Sequence, residues 1–275
     1  MSDAGTAGNA GNEVAAAAAV AGAPPRWTLE RLLSVHHWTD KLLSFRISRP
    51  AAYRFTPGHY ARRGLGSELD GIEWRPFSIV STATDDFLEF FAVRVPAGAF
   101  SDRLVKASPG DPIRIEKASY GFLTLSQLAP GKDLWLLASG TGLGPFVAIL
   151  RDAAVWRAFE RIIVVHSVRI GAELAYRSEI AALAAATAAG HAKLSYIPVV
   201  TREAQPGALS ARIPQLLEDG SLAAAAGAEL DKQHSRIMVC GNPELVKTLR
   251  ATLGSKGYQV ARRGQPGQMA FEKYW

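Results

Sequence analysis

At 275 residues, with 48% hydrophobic and 20% charged side chains, the chain has room for two domains or one large one and the balance of an ordinary soluble globular protein. A net charge of +6 and a pI near 9.5 favour acidic partners or phosphate-bearing ligands, while the lack of a long basic run gives no sign of a nucleic-acid arm. The single cysteine, Cys240, excludes an intrachain disulfide and a four-cysteine iron–sulfur cluster within this chain.

Residues 1–25, rich in Ala and Gly and closed by Pro24-Pro25, are too poor in large apolar groups to offset ordering entropy and are expected to form a disordered tail. No basic segment precedes the alanine run and no long apolar span follows, so neither a secretory leader nor a membrane helix is expected. The cytoplasm is the default compartment.

From Trp27 short apolar or alternating segments predict strands at Trp27–His36, Leu42–Ser48, Leu88–Val95 and Pro112–Glu116. Turns are expected at Pro57-Gly58, Gly64–Gly66, Asp85-Asp86 and Pro109–Asp111, and a short helix at Ser101–Lys106 with Ser101 as its N-cap. This spacing fits a small antiparallel barrel or sandwich over residues 26–127. A further stretch, W-R-P-F-S-I-V-S from Trp74 to Ser81, reads as a strand whose alternate residues face opposite ways, Arg75 and Phe77 on one side, Pro76 and Ser78 on the other. Arg75 offers a fork for phosphate, Phe77 a flat apolar surface and Ser78 a small hydroxyl, although an edge strand with a solvated Arg and a core Phe would look the same.

After a linker at Gln127–Lys132 strand and helix alternate. Strands are expected at Leu134–Ala138, Arg161–Val165, Lys193–Val200 and Arg236–Cys240, with helices at Phe146–Arg151, Ala172–Ala186, Ile213–Leu217 and Pro243–Leu253. Residues 128–275 thus predict a parallel sheet covered on both faces. Gly140–Pro145, G-T-G-L-G-P, presents backbone N–H groups between a buried strand and a helix, an anion site that is neither G-x-G-x-x-G nor a P-loop. Arg169 and Arg202 follow the next two strands at the carboxyl end of the sheet, where ligands bind, and together with Arg212 favour a 2′-phosphate, hence NADP over NAD.

R-P-F-S at Arg75–Ser78, G-T-G-L-G-P at Gly140–Pro145, V-C-G-N-P at Val239–Pro243 and the closing A-F-E-K-Y-W together resemble the ferredoxin-NADP reductase family, most closely its bacterial ferredoxin or flavodoxin-NADP reductase branch, over about Trp27 to Trp275. The resemblance implies an antiparallel β-barrel FAD-binding domain, an α/β parallel-sheet NADP-binding domain, and a flavin at their junction. It implies that Arg75 holds the FAD pyrophosphate, with Pro76 beside it, that Phe77 stacks on the isoalloxazine, and that Ser78 hydrogen-bonds near flavin N5. Phe77 replaces the usual Tyr, which keeps the stacking and loses the phenol's hydrogen bond. Val93, Arg94, Val95, Ala99, Phe100 and Ser101 would line the flavin and its phosphates largely through backbone, and Thr141 would approach the ring. Gly142, Arg169, Thr201, Arg202 and Arg212 would take NADP, with Cys240 near the nicotinamide, and Glu272 and the terminal Trp275 at the active site, Trp275 covering the flavin face opposite Phe77.

The implied activity moves a hydride from NADPH to flavin N5 and then single electrons to an acidic ferredoxin or flavodoxin, in a monomer that binds neither nucleic acid nor membrane. Arg62 and Arg63 are candidates for docking that carrier. Two alternatives stand beside this: an NADPH-dependent flavin, quinone or monooxygenase-component reductase of the same fold, and a non-catalytic regulatory or electron-relay subunit.

Overall fold

Residues 24–67, 69, 71–186 and 191–273 are described by a computed structural model. In the first half, β1 (Trp27–His37), β2 (Leu42–Ser48), β3 (Tyr60–Ser67), β4 (Gly71–Ser78), β5 (Phe87–Val93) and β6 (Pro112–Glu116) form one sheet in the order β4-β3-β6-β1-β2-β5, antiparallel throughout. The open edges meet just beyond β4, where Ile79 bridges Phe90 and Val80 N donates to Glu89 O at 2.8 Å, closing the sheet into a barrel. Leu32, Phe45, Ile47, Ile79, Phe90, Ile113 and Ile115 fill it. Helix α1 (Ala99–Lys106) plugs one side through Phe100 and Leu104.

The second half runs β7 (Asp133–Ser139), α2 (Gly144–Leu150), α3 (Ala153–Ala158), β8 (Arg161–Val168), α4 (Arg177–Ala185), β9 (Lys193–Val200), α5 (Ile213–Glu218), α6 (Ser221–Ala226), β10 (Ser235–Gly241), α7 (Pro243–Ser255) and β11 (Met269–Lys273). Its five strands are all parallel, ordered β11-β10-β7-β8-β9. Along β7, Leu134 and Leu136 enter one core and Trp135 and Leu137 the other, so its unbroken apolar run reflects cover on both faces. Strand order reverses between β7 and β10, and ligands of open α/β sheets bind beyond the carboxyl ends of the strands at such a reversal.

The first of these cores continues into the barrel through Leu42, Val80, Phe91 and Leu123. Beside it, buried Glu89 on β5 accepts from Tyr176 Oη at 2.8 Å and pairs with Arg151 at 3.4 Å and Arg46 at 3.1 Å. Arg151 also donates to Val80 O and forms a two-pronged pair with Glu179. Burial opposes the charge on Arg151, but Glu179 and Glu89 outweigh it and hold its pKa above the usual value. The two sheets are therefore fastened by apolar packing and a charged, hydrogen-bonded clamp.

Gly64–Gly66 is not a turn but the middle of β3: a Cβ on Gly64 would come within 2.8 Å of Ile72 and 3.0 Å of Trp74, and Gly66, at φ +121°, lies under the Arg103 guanidinium. Helix α1 begins at Ala99 with Gly98 as N-cap, and Ser101 instead turns its hydroxyl onto Val95 O and Gly98 O while accepting from Val95 N. The helix expected from Ala172 starts at Arg177, because Tyr176 adopts a left-handed backbone at φ 59° to reach Glu89. Strand β8 runs on to Val168, three residues past the end expected at Val165. Arg63 is fully buried, its guanidinium 3.3 Å from the Phe90 ring centroid and donating to Phe77 O at 2.8 Å, so it offers nothing to a docking partner. Strands β3 and β11 and helices α3 and α6 had no counterpart in the predicted elements.

Candidate active site at the junction of the sheets

Strand β4 ends at the seam, and its alternation separates two sets of groups. Phe77 is half-buried, edge-on to Phe45 at 5.8 Å between centroids and 5.2 Å from Phe100, which ties the R-P-F-S stretch to the start of α1. Arg75 and Pro76 are exposed, and among the described residues Arg75 reaches near neighbours, Trp74 O at 2.8 Å and Glu73 at 3.3 Å. That exposed ion pair is worth little, which leaves the fork available to a better anion. Val93, Arg94, Val95 and Ala99 form the partly exposed rim between β5 and α1, fastened by buried Ser101.

Ser78, on the other face, is buried and directed across the seam, its hydroxyl donating to Glu272 Oε1 at 3.3 Å. Glu272 sits on β11 opposite Cys240 of β10. Although the residue is half-buried, its carboxyl end lies between Ser78 and Gly121, whose Cβ would fall 3.2 Å from Oε2. Burial pushes its pKa up to about 7, a rise the Ser78 hydrogen bond only partly opposes.

The glycine-rich turn closes the same space. Gly140 has φ +54°, favoured by glycine, and a Cβ on Gly142 would strike Cys240 O at 2.2 Å, so the turn lies directly on the end of β10. Gly144 faces the barrel, its Cβ position 3.8 Å from Ser78 Cβ and 3.4 Å from Val80. Thr141 and Cys240 are buried here. Ser139 Oγ accepts from Asn242 N at 3.0 Å, and the Asn242 side chain caps α7, which locks the V-C-G-N-P segment against the end of β7.

Arg169, Thr201 and Arg202 meet at the ends of β8 and β9: Arg202 N donates to Arg169 O at 2.8 Å and Thr201 Oγ1 to Val168 O at 3.1 Å. Arg202 is exposed, whereas Arg169 pairs with Glu173 at 2.6 Å. Arg212 is exposed at the N-cap of α5. Trp275 lies outside the described residues, as do positions 1–23 of the expected tail.

The structure adds residues the motifs did not name. Tyr60 and Tyr120 exchange backbone hydrogen bonds and stand 5.8 Å apart, with Gly121 at φ +124° leading to Glu272. The sign in the sequence was a glycine between aromatics, S-Y-G-F, two residues beyond a strand. Glu89 was visible as one acid inside an apolar strand, F-L-E-F-F-A.

Comparison with known proteins converges on one family. Residues 28–108 match the FAD-binding domain family and residues 136–251 the oxidoreductase NAD-binding domain family. Ferredoxin--NADP reductase A of Sorangium cellulosum is 38% identical, covering 90% of each chain, and the flavodoxin/ferredoxin--NADP reductase of Escherichia coli is 34% identical over 90% of this chain and 99% of its own. The crystal structure of a ferredoxin NADP+ reductase from Neisseria gonorrhoeae with bound FAD and NADP superposes with a TM-score of 0.86 at 38% identity, covering 92% of this chain and all of that one. With both halves matched and the relatives aligned nearly end to end, the chain belongs to the ferredoxin-NADP reductase family.

Proposed function

We propose that this protein is an FAD-dependent oxidoreductase that moves electrons between NADPH and a one-electron carrier, ferredoxin or flavodoxin. The observation that carries the reading is the convergence of Ser78, Glu272 and the turn at Gly140–Gly144 on one space at the switch point of the parallel sheet.

The residues fit both cofactors. For FAD there is an exposed guanidinium on Arg75, Arg94 on the rim, the amino end of α1, and the half-buried Phe77 ring between the phosphate-binding groups and Ser78. For NADP there is a backbone turn too close to β10 for any side chain at Gly142, and arginines at the ends of β8 and β9. Bound FAD supplies two-electron exchange with nicotinamide and one-electron exchange with the carrier.

We assign Arg75 to the pyrophosphate with Pro76 beside it, Phe77 to stacking, and Val93, Arg94, Val95, Ala99, Phe100 and Ser101 to the wall around the flavin and its phosphates. Thr141 belongs to the same wall, and the family resemblance assigns the terminal Trp275 to the flavin as well. Gly142, Arg169, Thr201, Arg202 and Arg212 take NADP, with Arg169 shared with Glu173. Ser78 holds a hydroxyl beside the reacting ring, and Glu272, with a pKa near 7, is about half protonated at neutral pH and can exchange a proton within one hydrogen bond of it. Cys240, buried at the end of β10, shapes the nicotinamide approach.

Among the described residues no helix is long and apolar enough to cross a membrane. Operation as a cytoplasmic monomer without nucleic acid is part of the proposal, with an acidic carrier meeting a basic protein. The purified protein, given NADPH, is to be offered ferredoxin, flavodoxin, free flavin and quinone in parallel. Faster reduction of the protein carriers supports the reading, preference for free flavin or quinone turns it into the alternative reductase, and no NADPH oxidation even with ferricyanide makes it a non-catalytic subunit.

A further inference from the structure

His166 is fully buried on β8, and both of its ring nitrogens are engaged: Nε2 lies 3.1 Å from Gly140 O and Nδ1 lies 3.2 Å from Tyr196 Oη on the neighbouring strand β9. A carbonyl oxygen only accepts, so Nε2 must carry the proton. Burial pushes the His166 pKa down to about 4, against the opposing pull of the Gly140 carbonyl, which keeps the ring neutral at physiological pH. A neutral ring protonated at Nε2 has a lone pair at Nδ1, and the Tyr196 hydroxyl, whose own pKa burial raises, donates to it. The direction of both hydrogen bonds is thereby fixed.

The Gly140 carbonyl and the Thr141 N–H belong to one trans peptide and point in opposite directions. A donor that holds Gly140 O toward the sheet therefore sends Thr141 N–H away from it. Gly140 already has φ +54°, open space around its Cβ position and little steric bias of its own. Ser139, on the preceding residue, is held by Asn242 from the β10 side.

We propose that Tyr196 and His166 are positioning residues that act as a tautomer lock, fixing the Gly140–Thr141 peptide in the orientation that serves nucleotide binding at the glycine-rich turn. This rests on the assignment of that turn to NADP. His166 is fully buried, and the pair acts through one carbonyl.

The test uses the FAD-loaded full chain with 15N-labelled histidine. In the wild type, the His166 nitrogen shifts should report a neutral Nε2–H ring from mildly acidic to mildly alkaline pH. In Tyr196→Phe, Nδ1 loses its donor and its shift should move downfield to that of an unbonded acceptor nitrogen while the proton stays on Nε2, and the KM for NADPH should rise about three- to tenfold, the loss of one neutral hydrogen bond. Its kcat at saturating NADPH should stay near wild type. His166→Gln, which keeps an N–H near the Nε2 position, should recover most of the NADPH affinity that His166→Leu loses. A wild-type ring protonated at Nδ1, a doubly protonated ring, or a Tyr196→Phe variant with unchanged shifts and unchanged KM overturns the lock. If the wild type shows the assigned tautomer but binds no NADPH, the proposed function falls while the shifts still decide the hydrogen-bond directions.

Discussion

The Ser78 hydroxyl donates to Glu272 Oε1 at 3.3 Å, joining residues 194 positions apart and one strand end from each sheet. The contact brings a hydroxyl and a carboxyl with a pKa near 7 to the place where a flavin and a nicotinamide are to meet.

A pH dependence of stability follows. The folded-state pKa of Glu272 is raised above its unfolded value, so between the usual carboxylate range and about 7 the folded chain binds the extra proton. Stability therefore falls as pH rises through that window. Relative to Glu272→Gln, the wild type should lose on the order of 2 kcal/mol between pH 5 and pH 8. Denaturant unfolding of both proteins at the two pH values measures it, and parallel curves would count against a buried, proton-holding carboxyl.

Arg75→Ala should weaken FAD binding by about 10- to 100-fold, the range for losing a charged hydrogen-bonding fork on a phosphate. Arg75→Lys should fall between, because an ammonium keeps the charge and loses the planar fork. Fluorescence of released flavin on dilution reads both.

Much of this site was legible from short motifs, and the reasons for the gaps are physical. The covered strand β7 showed itself as an apolar run, and β2, β6 and β9 were delimited without error. Strand β3 was hidden because Gly64 and Gly66, turn residues by composition, are glycines to make room for Trp74 and Arg103. Ser101 looked like an N-cap since a hydroxyl before an acidic residue normally is one; its use three residues into α1 depends on the Val95 loop, a tertiary fact. Arg62 and Arg63 are adjacent and chemically identical, yet the pleat sends one to Glu116 at the surface and the other into the barrel. The β10–β11 register that brings Glu272 opposite Cys240 has no local signature, and the end motif suggested it through resemblance alone.

Arg202→Ala should raise the KM for NADPH by about 10- to 100-fold, as expected for a guanidinium–phosphate contact, and leave the KM for NADH nearly unchanged. Initial rates with ferricyanide and each dinucleotide give the ratio. An equal effect on both would place Arg202 away from the 2′-phosphate.

The clamp at Glu89 should hold the two sheets in register. Tyr176→Phe removes one hydrogen bond to a carboxylate and should cost about 1–3 kcal/mol. Glu89→Ala leaves the buried Arg151 with one fewer anion and should cost about 3–5 kcal/mol, with unfolding separating into two steps as barrel and parallel sheet lose their coupling. Calorimetry of the variants checks this; a single transition at the wild-type temperature would show that apolar packing alone fastens the halves.

Turnover with a ferredoxin or flavodoxin should fall as salt rises, while ferricyanide turnover stays nearly constant, if a basic protein meets an acidic carrier through exposed charge. Equal sensitivity of the two assays would argue against that docking mode.

The most direct measurement is an anaerobic titration of the purified protein with NADPH, followed by its visible absorbance. The protein should be yellow with bound FAD and lose its long-wavelength band as NADPH is added, at lower concentration than with NADH. A colourless protein that takes up no FAD, or a flavin spectrum that NADPH leaves unchanged, would contradict a cofactor pair meeting at Ser78, Glu272 and the glycine-rich turn.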